Sequence, residues 1–210
     1  MLGVLIQPIR VGRIQFRSGE IRDLFVAWGA LGLAFALFFG GGATALTEPG
    51  FLVLLAISLL TAGIGFLLHE LAHKVVAIRY GQVAEFRADF GMLVLAIATA
   101  LAGFIFAAPG AVHHRGRITD RQHGHIAIAG PVTNLALAVG FLPLVFIPIP
   151  VIGQLGAFGV GINCFLAAFN MIPFGPLDGR TVLRWSWIAF AVTFVTSVAM
   201  TIAAAILLLF

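Results

Sequence analysis

Phe66-Leu67-Leu68-His69-Glu70-Leu71-Ala72-His73-Lys74 is the stretch from which the rest of the chain is read, and it lies in an apolar run that begins near Phe51. Its H-E-x-x-H spacing sets His69 and His73 at i and i+4 on one helix face, where two imidazoles can reach the same metal ion. Glu70 then stands beside that ion, placed to act as general base to a bound water. The plainer reading is a pair of core histidines, or a helix end leaving an apolar layer. Ionisable side chains inside a spanning segment are costly and mark functional positions by default. His69, Glu70 and His73 fall within about one turn, flanked by Phe66, Leu67, Leu68, Val75 and Val76.

The composition explains why this stretch is unusual. Of 210 residues, 61% are hydrophobic and 10% charged, with mean hydropathy +1.11. Soluble domains carry about 25% charged residues, so the chain is a polytopic integral membrane protein. Its length is that of one membrane domain, 1–210, with no room for a sizeable soluble module such as a PDZ domain. The net charge of +4 reports loop orientation in such a chain, not nucleic-acid binding; no nucleic-acid partner is expected. The single cysteine, Cys164, excludes an intrachain disulfide. Residues 1–22 lack the basic–apolar–small order of a cleavable signal and read as an amphipathic or strand-like lead-in, alternating Val11, Arg13, Ile14, Gln15, Phe16, Arg17 before Ser18-Gly19.

Hydrophobic runs of roughly 20 residues predict spans over about Leu24–Leu46, Phe51–Ile78, Ile126–Ile147 and Trp185–Phe210, with a further apolar helix over Gly153–Phe169. Glu48-Pro49-Gly50 and Pro148-Ile149-Pro150 are breakers between them. Residues 81–90 alternate like surface strand, and 111–125 form a hydrated loop rich in His and Arg. Glu85, Asp89 and Asp120 read as solvated charges. The run Gly91–Ala108 is near the minimum spanning length. A full crossing would put Arg115, Arg117 and Arg121 on the outer side, against the positive-inside tendency; a dip that returns keeps every basic loop on one side. The dip is the favoured reading. His73 then lies on the order of 9 Å before Arg79, inside the membrane near its cytoplasmic face.

A catalytic zinc commonly keeps three protein ligands and one open position. Asp178, the one carboxylate after Asp120, follows the broken backbone of Asn170-Met171-Ile172-Pro173-Phe174-Gly175-Pro176-Leu177 and is the best third donor. His113, His114, His123 and His125 are an alternative metal-binding set, though a hydrated loop suits them better. Asn134, early in its span, either bonds a neighbouring helix or faces the metal cleft.

H-E-L-A-H at 69–73, G-P-V-T-N at 130–134 and N-M-I-P-F-G-P-L-D-G at 170–179 resemble, in order, the three signatures of the site-2 proteases, intramembrane zinc metalloproteases of peptidase family M50. The likeness is to the compact prokaryotic type without a PDZ domain, with a catalytic core over about 51–185. It implies an all-α polytopic membrane protein of five to six transmembrane helices, with a membrane-re-entrant β element in 81–112, between the second span and the next. It implies Zn2+ held by His69, His73 and Asp178, Glu70 as catalytic base, and Asn134 and Asn170 as substrate-binding or site-supporting. The expected partners are the lipid bilayer and a transmembrane protein substrate, cleaved within or near the bilayer. A catalytically inactive scaffold of this fold, and a membrane metal carrier or sensor, are the rival readings.

Overall fold

The computed structural model describes residues 9–11, 14–106 and 109–209. Two short strands, β1 (Ile9–Val11) and β2 (Ile14–Phe16), pair antiparallel. The left-handed Gly19, φ 85°, turns the chain into helix α1 (Glu20–Phe39). α1 begins earlier than its hydropathy predicts. Glu20 and Asp23 look like the edge of a span, yet both are buried: Glu20 pairs with Lys74, and Asp23 with the neighbouring Arg22 and the Ala88 N–H.

Helices α2 (Phe51–Ser58) and α3 (Ile64–Arg79) are one span, joined by a single π-helical stretch over Leu59–Gly63. The widened turn turns the Leu59 carbonyl toward α1, where it accepts from Trp28 Nε1 at 3.0 Å. Strand β3 (Val83–Ala88), helix α4 (Phe90–Leu101) and strand β4 (Gly110–Arg115) follow. Then come α5 (Asp120–Phe141), opened by a Thr119–Gln122 capping box, and α6 (Pro150–Asn170), started by Pro150. α7 (Asp178–Trp185) is short, and α8 (Trp187–Leu209) closes the fold. α5 lies at the centre, packed on α3, α6 and α7.

Five helices among the described residues are long and apolar enough to cross a membrane: Glu20–Phe39, Phe51–Arg79, Asp120–Phe146, Pro150–Asn170 and Trp187–Ile206. The fold is that of an all-α polytopic membrane protein. α4 has 12 residues, about 18 Å at helical rise, well short of the roughly 30 Å hydrocarbon core. Its flanking strands are antiparallel, with Ala88 opposite Gly110. The excursion over 90–109 therefore returns to where it left and makes no net crossing. β4 occupies part of the stretch read from sequence as a hydrated His/Arg loop. His and Arg suit an exposed face there, and pairing with β3 supplies the order.

Because the spans alternate in direction, every described Lys and Arg lies at one end of the bundle, the end that also carries β3, β4 and α7. The other end, at the α1–α2 and α5–α6 connections, holds the single carboxylate Glu48.

A candidate metal centre under the β3–β4 sheet

The metal-ligand candidates are carried by two helices, α3 and α7, and a third, α5, packs against both. On α3, His69 and His73 share a face as the i, i+4 spacing requires, and both are buried. α5 crosses them at Gly130. A Cβ there would come within 2.5 Å of Nε2 of both His69 and His73, so a residue without a side chain lets α5 close over the pair. Pro131 removes one N–H from the interior of α5, and in the turn before it the Ile126 carbonyl accepts from His73 Nδ1 at 2.7 Å. Asp178 arrives at the first turn of α7, where the helix dipole favours a carboxylate. The fold-back from α6 is tight: a Cβ on Gly179 would lie 2.1 Å from the Met171 carbonyl oxygen.

Asp178 Oδ2 stands 3.2 Å from His69 Nε2 and 3.4 Å from His73 Nε2, and all three donor atoms fall within 4.8 Å of one another. Ligands about 2.0–2.1 Å from a tetrahedral zinc sit roughly 3.3 Å apart, so the observed spacing is that of atoms sharing an ion. The tautomers agree. Ile126 offers only an oxygen, so His73 Nδ1 carries the proton. Asn134 Nδ2 is spent on Gly65 O at 3.2 Å and Asn163 Oδ1 at 2.9 Å, leaving its Oδ1 to accept from His69 Nδ1 at 2.6 Å. Both Nε2 lone pairs then converge on Asp178 Oδ2, which is buried without a hydrogen bond. Three electron-pair donors facing one another with no proton between them need a cation, and the set fits zinc.

Glu70 is buried one residue along the same helix, and its Oε2 accepts the Val112 backbone N–H at 3.1 Å. The register of the sheet explains this bond. The outer edge of β3 is closed by α1: Phe86 N–H donates to Glu20 Oε1 at 3.0 Å and Ala88 N–H to Asp23 Oδ2 at 3.3 Å. Phe86 opposes Val112 and Ala88 opposes Gly110. In antiparallel alternation the N–H groups of Gly110, Val112 and His114 therefore point away from β3, on the side of the metal-ligand cluster. β3 is closed by Glu20 and Asp23, whereas on the outer edge of β4 Glu70 takes the Val112 N–H and the Gly110 and His114 N–H groups flank that bond.

The other sequence-predicted residues separate cleanly. Asn134 joins the site. Asn170 donates to the Leu166 carbonyl on its own helix at 2.9 Å. His114 and His123 stack edge-on at 5.4 Å, His125 meets the Tyr80 hydroxyl at 2.5 Å, and His113 turns back on Ala111. Among the described residues, His69, His73 and Asp178 are the one group of three donors able to hold a metal. Asp89 is exposed, as its solvated reading expects, and also caps α4 through the Met92 N–H, while Glu85 pairs with Arg17 and Arg87. Sequence reading missed Asn163 and the Glu20–Lys74 pair, which is fully buried beside His73.

The chain is 42% identical over 177 residues to a protein of Methanocaldococcus jannaschii provisionally named zinc metalloprotease MJ0611, covering 82% of this chain and 87% of that one. It belongs to the same zinc metalloprotease family. Similarity to further provisionally named zinc metalloproteases is partial. YwhC of Bacillus subtilis is 32% identical over 149 residues, covering 60% of this chain and 66% of that protein. The sll0528 protein of Synechocystis is 34% identical over 119 residues, or 55% of this chain and 27% of that one. No family model matches the chain, and no solved structure does. In this metalloprotease, zinc is the cofactor to which the His69–His73–Asp178 cluster corresponds.

Proposed function

We propose that this metalloprotease is an intramembrane endopeptidase of the site-2 protease type, hydrolysing peptide bonds of transmembrane substrates within or near the bilayer. The observation that carries the reading is the burial of His69, Glu70 and His73 inside a bundle of apolar helices, with the partly buried Asp178 brought to the same point. Bound zinc supplies Lewis acidity for the attacking water and the scissile carbonyl. Glu70, held through Oε2 by Val112 N–H, takes the proton of that water and returns it to the leaving amine. His69 and His73 keep Nε2 unprotonated through the bonds made by Nδ1.

A substrate helix must unwind before its carbonyls can react, and unpaired backbone in lipid costs several kcal/mol per group. The outer edge of β4, through the Gly110 and His114 groups on either side of the Val112–Glu70 bond, can re-pair such a strand by β-augmentation. The concentration of described Lys and Arg at this end of the bundle supports a cytoplasmic placement of the site. A metal carrier would need donors along a path through the membrane; the described residues hold one cluster near one end.

The test is zinc per chain by elemental mass spectrometry, alongside cleavage of a transmembrane peptide in proteoliposomes. Wild type should hold about one zinc and cleave. Glu70→Gln should hold zinc with cleavage reduced about 10²–10⁴-fold, and Asp178→Ala should lose both. Cleavage by Glu70→Gln at the wild-type rate would overturn the assignment.

A further inference from the structure

His69 and His73 are oriented by different kinds of partner. His73 Nδ1 donates to a backbone carbonyl, Ile126 O, which cannot reverse its polarity. His69 Nδ1 donates to a side-chain amide, Asn134 Oδ1. An amide can turn over, and a reversed Asn134 would aim its NH2 at Nδ1. His69 would then carry its proton on Nε2, where the electron pair for the metal is required.

We propose that Asn163 is a positioning residue of the metal centre, locking the Asn134 amide so that His69 presents an unprotonated Nε2. This rests on the reading of His69, His73 and Asp178 as metal ligands. Asn163 lies on α6 and is fully buried. Its Nδ2 donates to the Gly159 carbonyl at 2.9 Å, so its Oδ1 is left as acceptor for Asn134 Nδ2 at 2.9 Å. The second Asn134 N–H is taken by the Gly65 carbonyl at 3.2 Å. Each bond in the relay Gly159 O, Asn163, Asn134, His69 thus has a fixed direction, anchored on a backbone oxygen. Turning over Asn134 would set its oxygen against two oxygens, Asn163 Oδ1 and Gly65 O, in a site without exposed partners. The space is made for this arrangement: a Cβ on Gly65 would lie 2.5 Å from Asn163 Oδ1. Asn163 touches none of the ligand atoms and acts through Asn134.

The experiment measures zinc affinity by chelator competition on the purified full chain, in a double-mutant cycle. Asn163→Leu removes both bonds. Asn163→Ser can keep a bond to Gly159 on its own helix but is too short to reach Asn134, which guards against a variant that fails to fold. Each should weaken zinc binding about 10–100-fold, as loss of an outer-shell partner does. In an Asn134→Ala background the same substitutions should change affinity less than about 3-fold, because the residue they act through is gone. Wild-type affinity in both Asn163 variants would overturn the proposal. So would an equal loss in the two backgrounds, which is the signature of helix packing alone.

Discussion

The backbone N–H of Val112 donates to Glu70 Oε2 at 3.1 Å while the residue opposite Val112, Phe86, turns its own N–H away to Glu20. One carboxylate on α1 and one on α3 therefore bracket the two-stranded sheet from its two edges.

Val112→Pro isolates the inner bracket. The lost N–H takes no part in the ladder with β3, and proline is tolerated at such edge positions. A hydrogen bond to a charged group contributes about 1.5–3 kcal/mol, so cleavage should fall roughly 10–100-fold. Zinc content and the melting temperature should stay near wild type. Unchanged cleavage would show that this bond does not serve the base.

Gly130→Ala puts a methyl group 2.5 Å from the metal-facing nitrogens of both histidines. Overpacking on this scale costs about 1–3 kcal/mol, to be seen in chelator competition as about one to two decades of lost zinc affinity.

The buried Lys74–Glu20 pair predicts a pattern across three proteins. Removing one partner of a buried ion pair costs about 3–5 kcal/mol because the other charge is stranded, so Lys74→Met should lower the melting temperature by roughly 10 °C. Adding Glu20→Gln, which can still accept from Phe86 N–H, should recover most of the loss. A double mutant as unstable as the sum of the two singles would contradict the pairing.

Orientation is open to thiol labelling against a silent background, because Cys164 is buried. Thr47→Cys should react with an impermeant reagent in intact cells, and Arg117→Cys only after permeabilisation. The reverse pattern would place the metal end outside.

Much of this was legible in the sequence, for identifiable reasons. The long apolar runs and the three signatures depend on local spacing, and they located the spans, His69, Glu70, His73, Asp178 and Asn134. What stayed hidden depends on contacts between residues far apart in the chain. Glu20 and Asp23 read as the edge of a span because their partners, Lys74, Phe86 and Ala88, lie on other elements. β4 was concealed by histidines and arginines that look like loop, since a strand's order comes from its neighbour. Asn163 carried a faint signal, an amide in the middle of an apolar helix beside Gly159 and Gly161, and the residue it serves lies on a different span.

The fold-back at Gly179 has a consequence for synthesis. His69, Glu70 and His73 leave the ribosome early, and the carboxylate that completes their cluster is made only after α6, on the far side of that turn. A half-made chain thus carries the base and two imidazoles with no third donor to complete the metal grip. The metal centre is therefore completed late, when most of the bundle already exists to enclose it, so that under the proposed function the chain gains hydrolytic competence only after nearly all of it has been made.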